Sequence, residues 1–311
     1  MTEISAPIHA DRPVVEQWLA ARGVDPALTP PAYSPVLSEQ SFPPGDDELR
    51  MLFDEGVPVC WLGGPAIGGD ELEWPVNSAG TPLAHVASIG LESLAGTVDA
   101  DGKRAWGGGA RVLDLLPESG NLEIFHDLTS FGYYPDGEPS GAWLVRWVPD
   151  AAGRPLVAGP GGGVADVDPR PTEVCQQVLP MPGWTVPTWE DAEPVLGAEA
   201  FDAYEAVLLD LQQSWHAQRF GEPAEYPVPY HHVYGHPSHT RGVADELLAR
   251  HLPVASDDAH VLVAEFESWT ALTGWFGDAG SLEVWMRASD LAARRFDAAW
   301  CLIRIDEITS S

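Results

Sequence analysis

Residues 119–125 read Ser-Gly-Asn-Leu-Glu-Ile-Phe, and residues 279–285 read Ala-Gly-Ser-Leu-Glu-Val-Trp. Each stretch opens on small turn-forming residues and then alternates an aliphatic side chain with a glutamate or an aromatic one, the period of two that marks a strand. In the first, Leu122, Ile124 and His126 point one way and Glu123, Phe125 and Asp127 the other; in the second, Leu282, Val284 and Met286 oppose Glu283, Trp285 and Arg287. Equivalent positions share their polarity. A face that mixes glutamate with an aromatic ring is either covered by a helix edge or lines a groove.

Working outward, the same order of short motifs surrounds both strands. Gly63-Gly64-Pro65, His85-Val86-Ala87-Ser88-Ile89, the strand of Leu122 and Ala142-Trp143-Leu144-Val145 are matched by Gly235-His236-Pro237, His260-Val261-Leu262-Val263-Ala264, the strand of Leu282 and Ala299-Trp300-Cys301-Leu302. The proline-to-histidine distance is 20 residues against 23, and the leucine-to-tryptophan distance is 21 against 18. Only the middle spacing differs widely, 37 against 22, and the loop from Gly96 to Arg111, with Gly107-Gly108-Gly109 at its tip, takes up the excess. Four collinear blocks predict an α+β fold made of two similar β-rich halves from an internal duplication, with helices packed across them and an N-terminal arm.

The rest of the chain divides around these halves. Residues 1–55 hold a helix that starts after Asp11 and ends at Gly23, a proline-rich stretch from Pro26 to Pro44 that reads as a surface arm, and a second helix from Asp46 to about Glu55. Residues 56–150 form the first β-rich repeat and residues 151–196 a Pro/Gly-rich linker. Residues 197–311 carry the long helix Ala198 to Phe220, with Phe201, Tyr204, Ala206, Leu208, Leu211 and Trp215 as its apolar stripe, then the second repeat. Within that repeat, Thr240 to His251 is a helix with Val243, Leu247 and Leu248 inward.

Composition excludes several classes of function. The 311 residues include 16 basic and 47 acidic side chains, a formal charge of −31, and 45% are hydrophobic, which rules out a disordered tail. Such a balance repels phosphate backbones and anionic lipid headgroups, so neither nucleic acid nor a membrane is expected as partner. It fits a basic protein partner as well as plain solubility. No apolar run reaches the length of a membrane span, and Met1 to Pro13 lacks the pattern of a secretory signal, so a cytoplasmic location is expected. Cys60, Cys175 and Cys301 are odd in number and far apart, which suits a reducing compartment and supports neither disulfides nor a zinc ribbon.

A family resemblance rests on Gly63-Gly64-Pro65, Glu73-Trp74-Pro75, Leu116-Pro117-Glu118-Ser119-Gly120-Asn121-Leu122, His232-Val233-Tyr234-Gly235-His236-Pro237, Gly277-Asp278-Ala279-Gly280-Ser281-Leu282, Asp290-Leu291-Ala292-Ala293-Arg294 and Trp300-Cys301. In this set and order the chain resembles the YwqG-like family of bacterial proteins, a domain of unknown function, from about Gly56 to Asp306. The resemblance implies an α+β fold with duplicated halves, and some members look like immunity proteins beside bacterial toxins; it points to no particular catalytic activity. Ser88 and Glu265 stand where that family usually has a strand glutamine, and Phe276 where it has a tryptophan.

The densest chemistry is the group His231, His232, His236 and His239. Spacings within it can chelate a divalent ion, with Asp278 completing the shell, but Pro237 breaks a helical presentation, and a structural turn explains the same residues. No G-x-S-x-G elbow surrounds Ser119 or Cys60, the glycine runs lack a following Lys-Ser or Lys-Thr, and no catalytic residue, metal site or cofactor is assigned. The expected function is a non-enzymatic binding protein, of the immunity type that sequesters a basic toxin. The alternative is a small-molecule-binding or metal-dependent enzyme that uses the region of His232, His236, His239 and Asp278. The ligand is expected in a cleft between the halves lined by His232, His236, Asp278, Trp74, Glu123 and Glu283.

Overall fold

The computed structural model describes residues 5–39, 46–68, 73–107, 110–161 and 167–305. Ten strands form one antiparallel sheet. From one edge inward run β14 (Trp300–Arg304), β13 (Ser281–Arg287), β12 (His260–Glu267) and β11 (His231–His232). Then come β2 (Val36–Glu39) and β9 (Cys175–Met181), and from there to the other edge β3 (Cys60–Gly63), β5 (Ala84–Gly90), β6 (Asn121–His126) and β7 (Trp143–Val148). Two short pairs stand apart, β1 (Ala32–Tyr33) with β10 (Trp184–Thr185) and β4 (Ala66–Ile67) with β8 (Leu156–Val157).

Two four-stranded runs thus flank a central pair, and each has its register set in the same way. Glu123 faces Ser88 on one side and Arg146 on the other, while Glu283 faces Glu265 and Leu302. A bulge interrupts β5 between His85 and Ala87 and β12 between Leu262 and Ala264. Counting from the two glutamates, His85 corresponds to Leu262 and not to His260, so the expected alignment of those two blocks is two residues out of register.

The central pair corrects the reading of the arm and the linker. Val36 and Leu37 are 1% and 2% exposed, and Leu37 lies between His231 and Pro180, so residues 36–39 form an interior strand and no surface wrap. Cys175–Met181, from the stretch expected as linker, supplies its neighbour. The first is four residues long and both sit among prolines, so their composition resembles that of a loop. Residues 40–45 of the expected arm and Gly108, Gly109, Gly162 and Gly163 lie outside the described residues.

Eight α-helices lie among the described residues: α1 (Arg12–Ala21), α2 (Asp46–Asp54), α3 (Leu91–Ala95), α4 (Ala100–Trp106), α5 (Trp189–Leu196), α6 (Phe201–Phe220), α7 (Arg241–His251) and α8 (Ala288–Ala292). The alternation of β6 and β13 sorts their side chains as expected. Leu122, Ile124, Leu282, Val284 and Met286 enter the main core with Val15 and Leu19 of α1 and Tyr204, Val207, Leu211 and Trp215 of α6. The stripe of α6 therefore runs through Val207, and Phe201 is exposed. The face that holds the glutamates is covered in pieces. Ala244, Leu247 and Leu248 of α7 pack over Leu262, Trp285 and Leu302, with Val243 exposed; Leu49 and Phe53 of α2 cover Trp61; and Trp74 covers Leu83 and Phe125.

The sheet curls until its two edges nearly meet, which gives it a barrel-like form. Trp143 of β7 stands 5.0 Å from Trp300 of β14, edge to face, and its Nε1 donates to the Ala299 carbonyl at 3.0 Å. Ile303 donates its backbone N–H to Phe131 O, and Trp300 Nε1 donates to Gly132 O at 3.1 Å. Gly132 has φ +76, and a Cβ there would collide with the Cys301 carbonyl, so the closure needs glycine. No helix among the described residues is long and apolar enough to cross a membrane.

Candidate functional site

His232 stands on the two-residue strand β11 with partners on both sides, Val36 and Glu265. Its Nδ1 lies 2.8 Å from the carbonyl of Tyr234, which only accepts, so Nδ1 carries a proton. Nε2 is then directed at Glu265 Oε2, 3.1 Å away. The backbone N–H and the hydroxyl of Ser238 also donate to Glu265. Burial alone would raise the Glu265 carboxyl, but the bond and charge of His232, helped by His239 and Ser238, hold it down to about 2. Glu283 lies beside it on β13, accepting from Trp285 Nε1 at 2.8 Å and from Arg304 Nη1 at 3.3 Å. There burial outweighs Arg304, and with Glu265 adding repulsion the Glu283 carboxyl is pushed up to about 8.

In front of His232 and Ser238 opens a pocket of about 340 Å³ between the segment around α5, helix α6 and the approach to β11. Trp189, Phe201, Leu208 and Tyr230 wall it, His236 joins His232 at its polar end, and Glu190 and Glu205 are exposed on its lining. Apart from the histidines, no basic side chain lines it among the described residues. His236 donates from Nε2 to Pro30 O at 3.0 Å, and burial lowers it to about 4, so its ring is neutral at pH 7. The Tyr230 hydroxyl is pushed above its ordinary range by burial and by the charge of Glu265.

The six residues expected in one cleft fall into separate places. His232 and Glu283 belong to the cluster around Glu265, and His236 to the pocket beside it. Glu123 and Trp74 lie in the other half. Glu123 Oε1 accepts from Ile67 N at 2.6 Å and Oε2 from Arg146 Nε at 2.9 Å, while Trp74 stands 5.6 Å from Phe125. Asp278 is exposed in the turn after Gly277. Its position leaves the histidine group without the carboxylate expected to complete it; Glu265, from the next strand, stands beside His232 instead. His231 faces away from this cluster, toward Glu39 and Glu267.

Sequence reasoning missed the pocket walls. The signal for them is Thr188-Trp189-Glu190-Asp191, a capping pattern in which the Thr188 hydroxyl accepts from Asp191 N at 3.4 Å and starts α5. The Asp191 carboxylate reaches on to α7, accepting from Arg241 N at 2.7 Å and from Thr240 Oγ1 at 2.9 Å, so α5 and α7 are tied beside the pocket.

A curled antiparallel sheet with helices on both faces, and a half-apolar pocket backed by buried carboxylates, defines an α+β protein with a ligand-sized site. Residues 61–304 match the family DUF1963, a domain of unknown function, and the chain belongs to that family. None of the curated proteins compared with the chain matches it.

Proposed function

We propose that the protein is a non-enzymatic binding protein whose ligand is a small amphipathic amine held in the pocket between α5, α6 and β11. The observation that carries this reading is the lining itself: aromatic walls from Trp189, Phe201 and Tyr230, exposed carboxylates of Glu190 and Glu205, and no lysine or arginine among the described residues. An aryl or alkyl body would displace water from the walls, with its ammonium at the rim glutamates. Covalent chemistry has little support. Burial raises the thiols of Cys60 and Cys301, and the Ser238 hydroxyl spends its proton on Glu265.

Titration with phenethylamine, followed by the fluorescence of Trp189 and by thermal stability, tests the reading. Phenethylamine should bind at least about tenfold more tightly than the alcohol or carboxylate of the same skeleton, a difference of about 1.4 kcal/mol. Glu205→Gln should remove most of that preference. Equal affinities for the three, or no binding, would overturn it.

A second reading keeps the charge of −31 in view. A basic protein partner of the immunity type, as in the YwqG-like family, would present a lysine or arginine to the same rim, with binding that weakens steeply as salt rises. The two runs of four strands also support descent from one duplicated unit, since order, bulge and glutamate coincide in both. Three cysteines without a disulfide, Cys60 and Cys301 of them buried, fit a cytoplasmic site of action.

A further inference from the structure

Among the described residues, two groups each bring one histidine and two glutamates close enough to grip a single ion: Glu39, His231 and Glu267, and His239, Glu265 and Glu283, with ligand atoms within 4.8 Å of one another. Their surroundings separate them. In the first group His231 Nδ1 accepts the backbone N–H of Glu267 at 3.1 Å, so the ring proton sits on Nε2, the nitrogen that faces both carboxylates. A protonated nitrogen has no lone pair for a metal. Arg219, at the end of α6, pairs with both Glu39 and Glu267 and meets their charge with a cation of the protein's own.

The second group is arranged differently. His239 Nδ1 lies 3.4 Å from Ser238 Oγ, 3.2 Å from Ser281 Oγ and 3.9 Å from Glu265 Oε1. The proton of Ser238 goes to Glu265, so Ser281 is the hydroxyl that can donate to Nδ1; with the ring proton on Nε2, the Nδ1 lone pair is met by a rotatable hydroxyl that can turn away for an ion beside the carboxylates. Glu265 and Glu283 are direct partners across β12 and β13, both buried, and two carboxylates side by side away from water require a proton or a cation between them. Arg304 reaches Glu283 only at 3.3 Å and divides its guanidinium between that carboxylate and the Thr240 carbonyl. His232, with Nδ1–H on the Tyr234 carbonyl and Nε2–H donating to Glu265 Oε2, orients the Glu265 carboxylate as second partners orient ligating carboxylates. Ser238 is exposed and lines the pocket, which provides a path for entry.

We propose that a divalent transition-metal ion, with Zn²⁺ the best match to this nitrogen and carboxylate set, binds between His239, Glu265 and Glu283 with an open side toward Ser238 and the pocket. This site differs from the histidine set that sequence spacing suggests, because its carboxylates come from neighbouring strands and not from the Gly277-Asp278 turn. It does not depend on what the pocket holds: the amine reading can fail while the metal site stands, and the reverse.

The test uses the full chain purified without a histidine tag, stripped with a chelator and titrated with Zn²⁺ against a chromophoric competitor, then with Co²⁺ for its visible absorption. One equivalent per chain is expected, with a Co²⁺ spectrum of few-coordinate nitrogen and oxygen ligation. His239→Ala and Glu283→Gln should each weaken binding at least about tenfold, while Asp278→Asn, at its exposed turn, binds as the unaltered chain does. Circular dichroism checks that each variant is folded, and His239→Gln replaces His239→Ala if the latter is not. No uptake by the stripped chain, or uptake that His239→Gln and Glu283→Gln both retain, would overturn the proposal. So would a Glu283→Gln chain that gains thermal stability with its metal content unchanged, since a proton would then be what the carboxylate pair holds.

Discussion

Glu123 shows how far a buried glutamate can be committed to the fold. Its two oxygens tie β6 to Ile67 of β4 and to Arg146 of β7, and Arg146 Nη2 returns to Ile67 O at 2.6 Å, so three strands close on one carboxylate. Burial would raise this carboxyl, but His85, Arg146 and the Ile67 amide together keep it below its ordinary value. Sequence reasoning treats Glu123 and Glu283 alike because the pleat places them alike, yet Arg146 stands opposite the first and Leu302 opposite the second. Glu123→Gln should therefore destabilise the chain by about 3 kcal/mol, the lower end of what breaking a buried pair costs, because Arg146 is still a quarter exposed and can reach water. Urea unfolding measures this, and a loss below about 1 kcal/mol would mean that Arg146 relaxes freely.

At the scale of elements, the structure depends on pieces that carry little signal of their own. Deleting residues 1–44 removes β2, with Leu37 between His231 and Pro180, and with it Glu39, the ion-pair partner of Arg219. A surface arm could be removed at modest cost, whereas an interior strand cannot: the truncated chain should be insoluble or lack a cooperative unfolding transition, and a soluble, cooperative product would show that β11 can pair directly with β9. Asp191 is a smaller case. It caps α7 from α5, while Thr240 makes no side-chain cap bond of its own, so Asp191→Ala should lose about 1–2 kcal/mol and raise amide exchange at Arg241 and Gly242. These elements also show what could be read in advance. The helices α1, α2 and α7 and the strands β6 and β13 have enough periodic residues to be legible within one or two residues of their ends. The strands β2 and β11 are too short for a period, and β9, although seven residues long, is mostly half-buried and shows no alternation that sequence could reveal. The site was legible to the same degree. His232 and His236 are visible as a group, but the partnership of Glu265 with Glu283 depends on a bulge, and the pocket walls on a helix that only its Thr188 cap announces.

For the whole molecule, the closure of the sheet couples stability to pH through a residue at the seam. His126, on β6, accepts the Leu128 N–H at Nδ1, stacks on Trp143 with ring centroids 5.9 Å apart, and has no partner for Nε2 among the described residues. Burial lowers it to about 4, against the opposing pull of Asp127 at 3.9 Å, while the unfolded chain restores the ordinary 6.5. Between those two values the unfolded state binds more protons, so the stability contributed by the neutral ring is complete above 6.5 and is lost as pH falls toward 4. The full effect is of order 3 kcal/mol. Glu39 and Glu123 act in the same direction at lower pH, because both hold their carboxyls below the ordinary range despite burial, through His231 and Arg219 for one and His85 and Arg146 for the other. A charge of −31 works the other way, since neutralising surface carboxylates relieves self-repulsion. The two contributions separate by substitution: His126→Asn keeps an acceptor for Leu128 and cannot charge, so its unfolding free energy should decline about half as steeply from pH 6.5 to 5 as that of the unaltered chain, the remaining slope coming from His236, which burial lowers likewise. If both chains decline in parallel, the seam histidine is not the proton acceptor, and the loss belongs to His236 beside the pocket.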